Sequence, residues 1–162
     1  MPSYDIVSQT DMQEVDNAVN GVGREISQRY DFKGSNTTIN RSEEEITIMA
    51  DDDYKLGAVS DMLKVYFTRR NLDSRALEFG NPETASGNML RQTIKVKQGL
   101  DQETAKYITK ELKGQKWKIQ PAIRGDEMRV TGKKLDDLQE SIKFIKTLDK
   151  VDLPLQFINF RD

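Results

Sequence analysis

Two stretches of the sequence, residues 43–63 and 125–145, repeat one pattern at a constant offset of 82 positions. At that offset Ile46 corresponds to Met128, and the other apolar residues of the two stretches coincide in the same way. Each copy has the periodicity of a short alternating strand, a polar break and an amphipathic helix. A supersecondary unit that is used twice favours two similar small domains over one large core.

The composition is that of a soluble globular protein, with 36% hydrophobic and 32% charged residues in a chain of 162. No run approaches the roughly 18 apolar residues of a membrane span, and the first ten residues lack the features of a secretory signal. We therefore expect a cytoplasmic protein. The chain contains neither His nor Cys, which excludes a Ser-His-Asp triad, a thiol nucleophile and the usual zinc sites.

The two halves are predicted to contain the same order of elements, βαββαβ. The first domain is predicted to span residues 1–82 and the second residues 88–162, and the intervening segment is rich in Gly, Pro, Asn and Ser. This order is typical of the ferredoxin-like α+β fold, a four-stranded antiparallel sheet with both helices on one face. The other face of such a sheet is open, so it must be solvated, covered or used for binding.

The charged residues are unevenly distributed along the chain. Residues 1–86 contain 9 Lys and Arg against 16 Asp and Glu, a net charge of −7. Residues 87–162 contain 16 against 11, a net charge of +5. A positive region of this kind attracts phosphate groups. It is equally compatible with a solvated face rich in lysine.

The first half has roughly eight more residues than the second between its first helix and its second strand, including the motif RYDFKGSN. Arg29, Phe32 and Lys33 in this motif place an aromatic ring between cations, which suits base stacking combined with phosphate pairing. The alternative is a helix end in which Tyr30 and Phe32 pack as a hydrophobic cap and Gly34 adopts a left-handed conformation.

The second half has cations at three further positions of interest. Lys97 precedes a helix that is predicted to begin after Asp101, so Lys97 and the neighbouring backbone amides could receive a phosphate at a helix N-terminus. Strand alternation in EMRVTGK turns Arg129 outward, with Lys133 beyond it. The alternative is that these cations only make the open face soluble.

No metal or cofactor site is predicted. The acidic run at residues 51–53 directly precedes a predicted helix, where carboxylates cap the backbone amides and match the helix dipole. No second cluster of oxygen ligands accompanies it, and no glycine loop of the Walker or dinucleotide type is present.

The motifs SYDIVS, RYDFKGS, KQGL, GDEMRVTGKKLDDLQ and FINFRD together resemble those of the YajQ family of bacterial nucleotide-binding proteins, over residues 3–162. The resemblance implies two ferredoxin-like domains akin to ribonucleoprotein domains. It also implies that their first strands can be exchanged, so that strand 3–8 pairs in the second sheet and strand 91–97 in the first. Family members are associated with purine nucleotides, including cyclic di-GMP, and in some cases with RNA.

The resemblance implies a protein that is not an enzyme. We expect a monomer without membrane contact that binds a nucleotide of the cyclic di-GMP, GTP or ATP type and acts through RNA or a transcription regulator. The alternative is an RNA- or DNA-binding module that uses the basic second half. Aromatic side chains would pack against the base and cations would bind phosphates, at the following positions: Arg29, Phe32, Lys33, Lys97, Arg129, Lys133, Phe160 and Arg161.

Overall fold

The computed structural model describes residues 1–162 and has an α+β fold with four helices and two antiparallel sheets. The predicted fold class is therefore confirmed. The helices are α1 (Met12–Gln28), α2 (Asp53–Arg69), α3 (Gln102–Lys113) and α4 (Leu135–Ile145). The strands are β1 (Ser3–Val7), β2 (Thr38–Ser42), β3 (Glu45–Ala50), β4 (Leu77–Phe79), β5 (Glu83–Thr84), β6 (Leu90–Val96), β7 (Ile119–Arg124), β8 (Glu127–Gly132) and β9 (Gln156–Arg161). None of the helices is both long and apolar enough to span a bilayer.

Each sheet contains one strand from the opposite half of the sequence. One sheet has the order β7-β8-β1-β9, with β1 antiparallel to both of its neighbours. The other has the order β2-β3-β6-β4, and β5 pairs with β6 outside this path. Two compact units result. The split unit comprises residues 1–9 and 98–162, and the continuous unit comprises residues 10–97.

Aspartate side chains cap the starts of α1, α2 and α3, whereas α4 has no side-chain cap. The Asp11 side chain accepts hydrogen bonds from the amides of Gln13 and Glu14 at the start of α1. The Asp52 side chain accepts one from the Lys55 amide, at 2.8 Å, at the start of α2. A side-chain acceptor at this position satisfies an amide that has no partner within the helix. The capping role predicted for the acidic run is therefore confirmed for Asp52, whereas the Asp51 side chain accepts a hydrogen bond from the Ser35 hydroxyl.

The continuous unit has a core between its two helices and one face of its sheet. Apolar side chains at helical spacing on α1 and α2 meet Ile46, Ile48 and Ile94, all three of which are fully buried. In the split unit the equivalent layer combines Tyr4 and Ile6 of β1 with side chains of β8, α3 and α4. Successive strand residues point to opposite faces, so the neighbours of these core residues lie on the sheet face without helices.

The strand exchange changes the distribution of charge. The continuous unit has 12 Lys and Arg against 15 Asp and Glu, and the split unit has 13 against 12. Net charges of −3 and +1 replace the −7 and +5 of the two sequence halves. Three of the four units of charge come from Arg91, Lys95 and Lys97, which β6 and the residue after it bring into the continuous unit. The fourth comes from Asp5, which β1 takes into the split unit.

The extra residues of the first half lie in a helix as well as in a loop. Helix α1 has 17 residues and α3 has 12. Nine residues connect α1 to β2, whereas five connect α3 to β7. The strand predicted at residues 74–79 is shorter than expected, because a single 3-10 turn at Ser74–Ala76 precedes β4.

Candidate functional site

The open face of the sheet in the split unit has charged residues at its centre. Strand β1 lies between β8 and β9, and its Tyr4 and Ile6 point into the core. The residue between them, Asp5, therefore lies on the open face, that is, the face without helices, where it pairs with Arg129 of β8 and Ile158 of β9. All five residues of β1 are nevertheless buried. The central strand of the sheet thus places a carboxylate directly beside a guanidinium.

Asp5 and Arg129 form a two-point ion pair. The Nε of Arg129 donates to Oδ1 of Asp5 at 2.8 Å, and Nη2 donates to Oδ2 at 3.3 Å. Asp5 is 1% exposed, whereas the Arg129 side chain is 27% exposed. The Arg129 hydrogen bonds hold the pKa of Asp5 below its ordinary value, and the carboxylate in turn raises the pKa of Arg129. Both groups are therefore charged at neutral pH, and the guanidinium is fixed in orientation.

A β-bulge in β9 completes this cluster. Ser3 pairs with Arg161 and Asp5 with Ile158, so β9 has one residue more than β1 between these pairs. Asn159 within the bulge has a φ of +56°, and its Nδ2 donates to Oδ2 of Asp5 at 2.9 Å. The buried carboxylate is thereby satisfied from both neighbouring strands.

The bulge also sets the positions of the last two predicted site residues. Arg161, opposite Ser3, lies on the open face with Arg129. The Phe160 ring is 64% exposed and lies 6.1 Å from the ring of Tyr4, which is on the helix side. Phe160 is therefore at the sheet edge and not on the open face.

Strand alternation places one more cation on this face, because Arg124 of β7 lies opposite Glu127. Lys133 is exposed and directly follows the last residue of β8. Arg124, Asp5 and Asn159 are not among the site residues predicted from the sequence. Alternation within IQPAIR and SYDIVS contains the signal for the first two, whereas nothing in the sequence indicates the bulge that positions Asn159.

The RYDFKG segment of the continuous unit is held by its own contacts. Arg29 makes hydrogen bonds of 3.0 and 2.8 Å to Asp31 and lies 3.5 Å from Glu25. Phe32 is 4% exposed and belongs to the core, with the Arg29 guanidinium 5.4 Å from its ring centroid. A stacked base needs an open ring face, which Phe32 does not have. Phe32 is therefore not available to stack on a base.

The remaining residues of this segment are also defined. Gly34 has a φ of +76°, which is the left-handed conformation that the packing alternative requires. Lys33 is exposed, and so is Tyr30, at 88%. The aromatic ring that is accessible in this segment is therefore that of Tyr30 and not that of Phe32.

The backbone near Lys97 is occupied by internal hydrogen bonds. The Lys97 amide donates to the Ala76 carbonyl at 2.7 Å, and the Lys97 carbonyl accepts from the Thr10 hydroxyl at 3.2 Å. The amides of Gly99 and Leu100 donate to carbonyls within the split unit, at 2.7 and 2.8 Å. The amides of Lys97, Gly99 and Leu100 are therefore already used within the chain.

The predicted site residues thus fall into two groups of four. Four belong to the continuous unit, namely Arg29, Phe32, Lys33 and Lys97, and four to the split unit, namely Arg129, Lys133, Phe160 and Arg161. The second group contains Arg129 of the ion pair itself, Phe160 and Arg161 of β9, and Lys133 directly after β8. No group of three or more His, Cys, Asp or Glu side chains is arranged to hold a metal ion.

The fold and this face define a tandem ferredoxin-like protein with an organised group of cations on an open sheet. The chain belongs to the family described as nucleotide-binding protein YajQ-like, whose model matches residues 2–161. The resemblance noted from the motifs is therefore confirmed.

Relatives match the chain over its full length. The nucleotide-binding protein Mmc1_1670 of Magnetococcus marinus is 56% identical, and the nucleotide-binding protein amb3630 of Paramagnetospirillum magneticum is 54% identical. The nucleotide-binding protein RC1_3464 of Rhodospirillum centenum is also 54% identical. Each comparison covers 100% of this chain and 100% of the relative.

Proposed function

We propose that this chain is a cytoplasmic nucleotide-binding protein that is not an enzyme. It binds a purine nucleotide of the cyclic di-GMP, GTP or ATP type and acts through contacts with a partner. The observation that carries the proposal is the open face of the split unit, where Asp5 fixes Arg129 and Arg161 lies on the same face. Lys133 directly follows β8, the strand of Arg129. The family and the names of the full-length relatives support the same ligand class.

Arg129 has the donors that purine recognition requires. A guanidinium has five N–H groups, of which Asp5 accepts two, so three remain to donate to a ligand. Paired donors of this kind match the O6 and N7 acceptors of guanine and also match a phosphate. Arg161 and Lys133 are exposed and supply phosphate contacts, and the Phe160 ring at the sheet edge offers a surface for a base.

Calorimetric titration with cyclic di-GMP, GTP and ATP at low ionic strength tests this proposal. Arg161→Ala and Lys133→Ala each remove an exposed cation, so each weakens binding by about tenfold to a hundredfold. Arg129→Lys keeps the charge but loses the two-point geometry, so it also weakens binding. Lys150→Ala, an exposed cation outside this face, is the control and leaves affinity unchanged. The proposal is rejected if none of the three nucleotides binds.

The absence of catalysis is part of the proposal and has its own test. The nucleotide is incubated for many hours with the protein and with Mg²⁺ or Mn²⁺, then analysed by chromatography. We expect unchanged nucleotide, because the chain has no His or Cys and its buried carboxylate, Asp5, is held by Arg129 and Asn159. Hydrolysis that scales with protein concentration would show an enzyme.

A second candidate function is binding of RNA or DNA through the phosphate backbone of the nucleic acid. One observation favours it: helix α3 and the residues after it have five exposed lysines, at positions 106, 110, 113, 116 and 118. The association constant for a single strand bound there would fall as the salt concentration rises. On logarithmic axes its slope would be about −0.7 per phosphate contacted. Replacing the three helix lysines with Ala would reduce that slope and leave nucleotide affinity unchanged. A slope near zero for the unmodified protein rejects this candidate.

A further inference from the structure

A groove of about 610 Å³ lies on the helix side of the continuous unit, away from its open sheet face. It runs along the outer side of α2 and reaches the C-terminal end of α1. Its floor is apolar or small: Met62 and Ala58 are largely buried, Val65 is 48% exposed, and Gly57 has no side chain. The proposed nucleotide site uses none of these residues.

No contact within the chain excludes a side chain at Gly57. It lies inside a regular helix, where Gly is less favourable than Ala by roughly 1 kcal/mol. A Cβ at this position would meet no atom within 4 Å. By contrast, Gly21 on α1 leaves room for the Tyr66 ring, because a Cβ there would lie 2.5 Å from it. Gly57 instead leaves the α2 backbone open to close approach from outside.

The groove has an excess of negative charge. Arg29 at its rim is already paired with Asp31 and Glu25, and Arg69 lies over the Tyr66 ring at 4.9 Å. Asp53 and Asp61 also line the groove, and their side chains make no hydrogen bond or ion pair. They are eight residues apart on α2, about 12 Å along the helix axis, with Gly57 midway between them.

We propose that this groove binds an amphipathic helix of a partner protein. The helix would place apolar side chains on Met62, Ala58 and Val65 and pack closely against α2 at Gly57. Two Lys or Arg residues, about two turns apart on that helix, would meet Asp53 and Asp61. This is the helix-in-groove mode, in which apolar anchors recur at helical spacing and charges fix the register. The groove shares no residue with the proposed nucleotide site. Helix binding in the groove therefore does not depend on whether a nucleotide binds.

Synthetic helical peptides of about 15 residues provide the probe. One set has apolar residues at helical spacing and two Lys residues eight positions apart, and a matched set has Glu in place of Lys. Fluorescence anisotropy against the full chain should show members of the Lys set binding at least about tenfold more tightly than their Glu counterparts. No binding by any member, or equal binding by the two sets, overturns the proposal.

Two variants locate the binding. Gly57→Leu fills the groove and should abolish binding, whereas Gly23→Leu, at another helical glycine with no atom within 4 Å of its Cβ, should not. The double variant Asp53→Lys with Asp61→Lys should bind the Glu set in preference to the Lys set, which tests the site even if Gly57→Leu fails to fold. Unchanged preference overturns the proposal. So does a dimer of the unmodified chain that Gly57→Leu dissociates, because a second copy would then occupy the groove.

Discussion

Tyr4 places a hydroxyl group in the apolar core of the split unit. The residue is 0% exposed, and its Oη lies 2.7 Å from Oγ of Ser141. Ser141 donates its only hydroxyl hydrogen to the Leu138 carbonyl at 2.6 Å, so Tyr4 must be the donor to Ser141. Burial raises the pKa of Tyr4 to about 12. The neutral phenol is thus the form that the folded state holds.

This raised pKa predicts a loss of stability at high pH. The unfolded chain releases the Tyr4 proton near its ordinary pKa of about 10, and the folded protein retains it until about 12. The contribution of Tyr4 to the free energy of unfolding is therefore fully present below pH 10. It declines as the pH rises from about 10 to about 12, by roughly 3 kcal/mol in total. Urea unfolding between pH 8 and pH 12 measures this decline.

Tyr4→Phe separates this effect from other titrations. The variant should be less stable than the unmodified protein by about 1 kcal/mol at pH 8, the usual value of one hydrogen bond. The difference should vanish and then reverse as the pH rises above 10. Tyr30→Phe, at an 88% exposed position, is the control. A Tyr4→Phe difference that stays constant with pH would contradict the assignment.

Strand alternation is the part of the site that the sequence predicts well. The pattern of EMRVT turns Met128 and Val130 into the core and Arg129 to the open face, and the structure confirms this. The bulge at Asn159 could not be predicted, because it depends on the register between β9 and a strand from the other end of the chain. Phe32 was ambiguous for a related reason: its neighbours in sequence are charged, but its neighbours in space are apolar.

Two helical glycines should respond in opposite ways to the same substitution. Gly21→Ala places a Cβ 2.5 Å from the Tyr66 ring, so α1 and α2 must separate or Tyr66 must move, and the protein is destabilised by about 1 to 3 kcal/mol. Gly57→Ala meets no atom and gains helix propensity, so it stabilises by about 0.5 to 1 kcal/mol. Chemical denaturation of both variants measures the pair. Equal changes in one direction would contradict the packing described for α1 and α2.

At the scale of the whole molecule, the repeat predicts two ferredoxin-like patterns, and the structure has both. The net charge of each unit could not be predicted from the order of residues along the chain. Counting along the chain assigns Arg91 and Lys95 to the basic half, but β6 pairs between β3 and β4 and places both in the continuous unit. Charge must therefore be counted by sheet and not by sequence position.

The exchange predicts which fragments fold. A fragment of residues 10–97 contains two helices and every strand of the β2-β3-β6-β4 sheet, so we expect it to fold alone with a cooperative thermal transition. A fragment of residues 1–86 lacks β6, so β3 and β4 lose the strand between them and the fragment should not unfold cooperatively. Circular dichroism on heating distinguishes them. Cooperative unfolding of the isolated 1–86 fragment would contradict the strand exchange.

The central claim is that a purine nucleotide binds the open face formed by β1, β8 and β9 of the split unit. A titration of the isotopically labelled full chain with cyclic di-GMP, GTP or ATP, followed through backbone amide chemical shifts, tests it most directly. The account predicts that the largest shifts occur at Asp5, Arg129 and Arg161 and that Arg161→Ala reduces them. Shifts confined to the residues of the continuous unit, or no shifts with any of the three nucleotides, would contradict it.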